Sequence, residues 1–153
     1  MGCDIHLKVE IQAESGEWHR AEDVIPNKYY EPGEIYANNT PETRDEWYHG
    51  RNYSLFSVLA GVRGYGLPIR EPRGIPKDAC LETKDEFKAW EGDAHTPHWY
   101  SLRELTTSIA RLRDPEVYGQ DFITNVIDRM IVLCNEELEG DGERIRTVFW
   151  FDN

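Results

Sequence analysis

Side chains that could do chemistry occur in two short clusters. Asp4 and His6 are two positions apart near the N-terminus, and Asp93, His95 and His98 lie within six positions of one another. Carboxylates and imidazoles are ligands that zinc and manganese take in proteins, and they also act as general acids and bases. The spacing therefore predicts a divalent metal, zinc or manganese, held by these five residues, with His6 and His98 as catalytic groups.

The first cluster lies on a predicted strand. Apolar residues at positions 3, 5, 7, 9 and 11 alternate with polar residues at 4, 6, 8 and 10, and this alternation is typical of a strand with one buried face. Asp4 and His6 then share the other face, with Cα atoms roughly 6.5–7 Å apart, and can converge on one ion. The alternative is that both are ordinary solvent-facing residues, and the sequence leaves this open.

The second cluster lies in a turn-rich segment just before a helix. Ser101 and Glu104 form a capping box that predicts the start of this helix. A His-x-x-His spacing on a turn can bring two imidazoles to one ion. The alternative is a structural use, in which either histidine caps a helix or bonds the backbone.

A locally basic segment suggests an anion site. Between His49 and Lys77 the chain has five cations and one carboxylate, although its formal net charge is −12. Because arginine donates two parallel hydrogen bonds to phosphate or carboxylate, Arg51 and Arg73 are predicted to hold a small anionic molecule such as a nucleotide. Asn52 and Tyr53 would orient it. The alternative is that these arginines pair with the abundant acids elsewhere.

Composition limits the partners and the compartment. An acidic chain repels phosphate backbones, so we expect no extended nucleic acid. No apolar run approaches the roughly 18–20 residues of a membrane span, and we expect no membrane and no signal peptide. Three widely spaced cysteines argue against a disulfide framework and favour a reducing cytoplasm.

The element pattern predicts a single α+β domain over residues 1–153. Strand patterns at both ends, 1–11 and 145–151, are expected to pair in a small mixed or antiparallel sheet. A hairpin strand over 18–24 is expected to follow the first strand. About three helices are predicted from an N-cap at Asn52, from the capping box and over 118–138, with a further short one over 84–90, and long ordered loops connect them.

Several motifs together resemble a family of small bacteriophage and prophage proteins. They are the opening Met-Gly-Cys-Asp-Ile-His, the Arg51-Asn52-Tyr53 stretch, the Pro72-Arg73-Gly74-Ile75-Pro76 stretch, the Asp93-x-His95-x-x-His98-Trp99 stretch and the closing Phe-Trp-Phe-Asp-Asn. The resemblance implies a phage protein acting in the cytoplasm of a bacterial host, and it supplies no mechanism. It also implies that these motifs belong to one pattern.

Three hypotheses follow. The first is a metal-dependent hydrolase of a small phosphorylated or nucleotide-like substrate, in which a metal-bound water attacks the substrate. The alternative is a non-catalytic phage protein that sequesters a host signalling nucleotide or blocks a host protein. A third is a purely structural metal site or a buried His–Asp network.

Overall fold

The computed structural model describes residues 4–36, 39–64, 68–90, 92–110 and 119–152, and within them it shows an α+β fold. The elements in chain order are strands β1 (Ile5–Gln12), β2 (Trp18–Arg20), β3 (Val24–Pro26) and β4 (Glu42–Arg44), helices α1 (Tyr53–Ala60) and α2 (Leu81–Ala89), strand β5 (His95–Ser101), helices α3 (Leu102–Ala110) and α4, and strand β6 (Ile145–Phe151). Helix α4 begins with Gln120–Phe122, widens into a π-helical segment over Ile123–Ile127 and continues over Asp128–Glu137.

The main sheet is antiparallel and has the order β2-β1-β6-β5. The predicted pairing of the terminal strands is confirmed, because Ile5 lies opposite Phe151 and Ile11 lies opposite Ile145. Strand β2 ends at Arg20, earlier than predicted, and Val24 instead opens a separate two-stranded ribbon of β3 and β4.

One face of the sheet carries the hydrophobic core. Leu7, Val9 and Phe149 are at most 1% exposed and pack with residues of α1, α3 and α4. The Phe56 ring of α1 contacts Phe149 at a centroid distance of 5.1 Å. Because side chains alternate across a strand, the residues between these core positions face the other side.

The predicted helix caps are confirmed. The Asn52 side chain accepts a hydrogen bond from the Leu55 backbone N–H at 3.0 Å, and Gly61 ends α1 with φ of 73°. At the start of α3, Ser101 and Glu104 exchange the two 3.0 Å hydrogen bonds of a capping box. The predicted helix over 84–90 begins three residues earlier, at Leu81.

The prediction of a turn around His95 and His98 is wrong, because both residues lie in strand β5. Proline lacks the N–H of a ladder hydrogen bond, which argues against a strand at Pro97. The structure accommodates Pro97 on the outer strand of the sheet, beside an irregularity between His95 and His98, where Thr96 has φ of 52°. Edge strands tolerate both features.

Candidate functional site

A groove with a volume of about 860 Å³ lies between the β3–β4 ribbon and helix α2. This is within the range of roughly 300–1,000 Å³ for ligand sites. We call it the acidic groove. Its floor residues, from β1, are His6 and Lys8; its ribbon-side residues are Val24, Thr40, Pro41, Glu42, Thr43, Arg44 and Glu46; its helix-side residues are Glu82, Asp85, Glu86 and Trp90.

The lining has five carboxylates and two cations, a formal net charge of −3 with His6 neutral. Lys8 bonds Glu46 and also lies 2.9 Å from Glu86, which links the floor to both walls. Burial alone would raise the pKa of Glu86, but the charges of Lys8 and Arg20 outweigh it and lower that pKa below its usual value. Glu86 is therefore ionised at neutral pH.

Two lining carboxylates, Glu42 and Asp85, make no ion pair with any described residue. Arg44, in contrast, donates to both oxygens of Glu82 at 2.9 and 3.1 Å and so ties the ribbon to the helix. The excess negative charge of the groove is therefore left facing solvent on both of its walls.

The helix-side wall is acidic because three carboxylates are spaced at helical intervals along α2. Glu82, Asp85 and Glu86 are three and four residues apart, so they share one face of α2. The other face carries Phe87, whose ring meets Trp150 of the sheet edge-on at 5.3 Å. The aromatic contact thus holds α2 against the sheet with its carboxylates turned towards the groove.

Buried ion pairs support the sheet beside the groove floor. Glu10, with no exposed surface, accepts a 2.9 Å hydrogen bond from Nε of Arg146 on the neighbouring strand. Arg20 and Glu22 form a second pair at 2.8 Å in which both side chains are at most 1% exposed. Breaking a buried ion pair by removing one member is destabilising, so these pairs stabilise the sheet beside the groove floor.

His6 lines the groove beside the Trp90 indole, with ring centroids 4.6 Å apart. Its Nε2 is 2.7 Å from a carboxylate oxygen of Asp152. Because a carboxylate can only accept, Nε2 carries the proton. Nδ1 makes no hydrogen bond with any residue that the structure describes.

Asp152 is held in place by its neighbours. Its second carboxylate oxygen accepts the backbone N–H of Asp4 at 3.1 Å. Burial opposes ionisation, but the hydrogen bonds from His6 and Asp4, together with the charges of His6 and Arg51, lower the pKa of Asp152 below its usual value. Asp4 itself pairs with Arg51.

His98 lies on the opposite face of the sheet, in the core, with no exposed surface. Its Nδ1 accepts the backbone N–H of Arg73 at 3.1 Å, and its Nε2 is 3.2 Å from the Arg70 carbonyl, to which it donates. Burial, reinforced by the charge of Arg73, lowers the pKa of His98 to about 4. Both ring nitrogens are occupied, so the neutral ring has no lone pair left for a metal or substrate.

The structure does not bring the five predicted metal ligands together. His95 pairs with Phe151 and stacks on its ring at 5.7 Å, whereas His6 pairs with the adjacent Trp150. Their side chains therefore lie on opposite faces, and Asp93 is exposed in the turn before β5. No group of three or more His, Cys, Asp or Glu residues poised to hold a metal is found in the part of the chain that the structure describes.

The predicted anion-binding residues are engaged in internal contacts. Arg73 donates to both carboxylate oxygens of Glu104 at 3.1 and 2.9 Å and stacks on the Trp99 ring at 3.6 Å. Asn52 caps α1, and the Tyr53 ring lies under the Arg63 guanidinium at 4.4 Å.

Asp85, Glu86, Trp90 and Asp152 were not predicted as site residues. The acidic spacing of α2 could have indicated a charged helix face. Nothing local indicates that this face lies across from residues 40–46, because tertiary structure alone brings the two segments together.

None of the described helices has the length and apolar content that a membrane crossing requires. No family model matches the chain, and neither the curated proteins nor the solved structures contain a significant match.

Proposed function

We propose that this protein is a binding module whose acidic groove receives a positively charged segment of a partner protein. The observation that carries the proposal is the groove itself, where five carboxylates face two cations. Attraction between opposite charges steers such partners together and fixes their orientation. This proposal corresponds to the hypothesis of a non-catalytic phage protein that binds and blocks a host protein. The resemblance to phage proteins would make the partner a protein of the host.

The groove offers a cationic side chain two kinds of contact. Glu42 and Asp85 carry charges that no described ion pair neutralises. Trp90 lines the same groove with its indole ring, and guanidinium groups bind the faces of such rings. An arginine or lysine entering the groove would therefore gain ionic and cation–π contacts.

The same charges argue against an anionic ligand in this groove. A phosphate or nucleotide would meet a net charge of −3, and Arg73 is already paired with Glu104. Sequestration of a signalling nucleotide and hydrolysis of a phosphorylated substrate stay predictions that the lining of the groove does not support.

Fluorescence anisotropy with a labelled nona-arginine peptide tests the proposal. The Glu42→Gln/Asp85→Asn variant should weaken binding roughly 2- to 30-fold, because each exposed pair contributes roughly 0.2–1 kcal/mol. The matched control, Glu14→Gln/Glu137→Gln, makes the same change in net charge at exposed positions outside the groove and should bind like the wild type. Equal losses in both variants would mean that only overall charge matters.

Hydrolysis is a second candidate function, and the His6–Asp152 pair favours it. Nδ1 of His6 could take a proton from water while Asp152 stabilises the imidazolium that forms. Elemental analysis of tag-free protein and hydrolysis of bis(p-nitrophenyl) phosphate, each repeated on His6→Asn, test this candidate. Activity that disappears in the variant would support it, and the elemental analysis would show whether zinc or manganese is lost with the activity; a wild type without activity would exclude this candidate.

A further inference from the structure

An exposed apolar surface borders the acidic groove. Of the ten exposed large apolar residues found in the described chain, six fall within residues 24–36. We call these six side chains the apolar loop face: Val24, Ile25, Tyr29, Tyr30, Ile35 and Tyr36. Ile35 is fully exposed and Tyr29 is 73% exposed. Val24 also lines the acidic groove, so the apolar loop face and the groove share this residue.

The loop that carries this face is internally organised. The Asn27 side chain accepts the Tyr29 N–H at 3.0 Å and donates to the Thr40 carbonyl at 2.8 Å. The Asn39 side chain accepts the Glu31 N–H at 2.9 Å and donates to the carbonyls of Glu31 and Glu34 at 2.9 and 2.7 Å. A loop held by its own hydrogen bonds, yet presenting tyrosine and isoleucine to water, is pre-organised for association.

We infer that the apolar loop face docks the same partner protein whose basic segment enters the acidic groove. The inference rests on the proposed function and deepens it by defining the partner surface: apolar residues beside lysines or arginines. Tyrosines at the centre of interfaces commonly supply much of the binding energy, and exposed apolar patches mark such sites.

Charge selects this occupant over a second copy of the chain. Glu31 and Glu34 are exposed within the loop, and Glu42 lies on the adjoining ribbon. Two copies, each with a net charge of −12, would bring acidic surfaces together. A basic partner would instead gain attraction along the whole surface.

Selection from a random peptide library displayed on particles tests the inference with wild-type protein as bait. We expect enriched peptides that combine apolar residues with lysine or arginine. They should lose at least about tenfold in affinity for Tyr29→Ser/Ile35→Ser/Tyr36→Ser. The control, Leu81→Ser/Val132→Ser, removes exposed apolar groups elsewhere and should bind as the wild type does. No enrichment, or equal binding to the loop variant, would overturn the inference.

Two comparisons separate the surfaces and the occupants. Peptides that lose affinity for Glu42→Gln/Asp85→Asn but not for the loop variant would leave the proposed function standing and refute the apolar loop face. Peptides that lose affinity for the loop variant but not for Glu42→Gln/Asp85→Asn would support binding at the apolar loop face and refute binding in the acidic groove. Two results would overturn the inference that the apolar loop face binds a partner protein. One is a wild-type dimer in sedimentation that the loop variant does not form, and the other is binding to phosphatidylcholine vesicles that the loop variant loses.

Discussion

The Glu10→Gln substitution probes the buried charges beside the groove floor. Glu10 accepts from Arg146 Nε through one carboxylate oxygen and from the Cys80 N–H through the other, each at 2.9 Å. Glutamine removes the charge and turns an NH2 group towards one of these donors. Breaking a buried pair in this way costs about 3–5 kcal/mol, a large part of the roughly 5–15 kcal/mol that stabilises a domain. The melting temperature should fall by roughly 6–20 °C.

Urea unfolding followed by circular dichroism measures this loss. The control is Glu143→Gln, whose partner Arg103 lies 3.8 Å away with both side chains mostly exposed, and it should change stability by less than about 0.5 kcal/mol. The Glu10→Leu/Arg146→Met variant removes both charges and should be more stable than Glu10→Gln. A loss below about 1 kcal/mol in Glu10→Gln, or a double variant less stable than the single, would show that the buried charge of Glu10 does not stabilise the fold.

Three further predictions concern stability. The pKa of His98 falls from 6.5 to about 4 on folding. The contribution of the neutral ring to the free energy of unfolding, roughly 2–4 kcal/mol, is therefore complete above pH 6.5 and is lost as the pH drops towards 4. His98→Gln should flatten this part of the pH dependence of stability measured by urea unfolding. Asn52→Ala should lower stability by about 1 kcal/mol by removing the cap of α1, whereas Asn52→Asp should not, as thermal melts would show. Tyr100→Phe should lose about 1–2 kcal/mol in urea unfolding, because its hydroxyl donates to the buried Leu59 carbonyl.

Local chemistry explains what could be predicted from the sequence. The alternation from Ile5 to Ile11 defined a strand, and the aromatic-rich segment ending at Phe151 defined its partner. The N-cap Asn52 and the capping box at Ser101 act within three residues, so neighbouring residues carry all the information that they need.

Long-range contacts explain what could not be predicted. The pairing of β5 beside β6 overrides the poor strand propensity of Pro97. Whether a histidine is a ligand depends on the groups around it: His98 received its partners from residues 70 and 73, and His6 received Asp152 from the far end of the chain. The charge of the groove likewise arises only where β1, residues 40–46 and α2 come together, and Lys8 joins these segments by pairing with Glu46 and Glu86.

Nuclear magnetic resonance titration of 15N-labelled protein with nona-arginine would show whether the acidic groove is the binding site. We expect saturable amide shift changes confined to residues 40–46, 82–90 and the neighbouring part of β1, because these segments line the acidic groove. The indole N–H of Trp90 should shift with them. Changes scattered over the acidic surface, or confined to another region such as α4, would contradict the claim that this groove is the binding site.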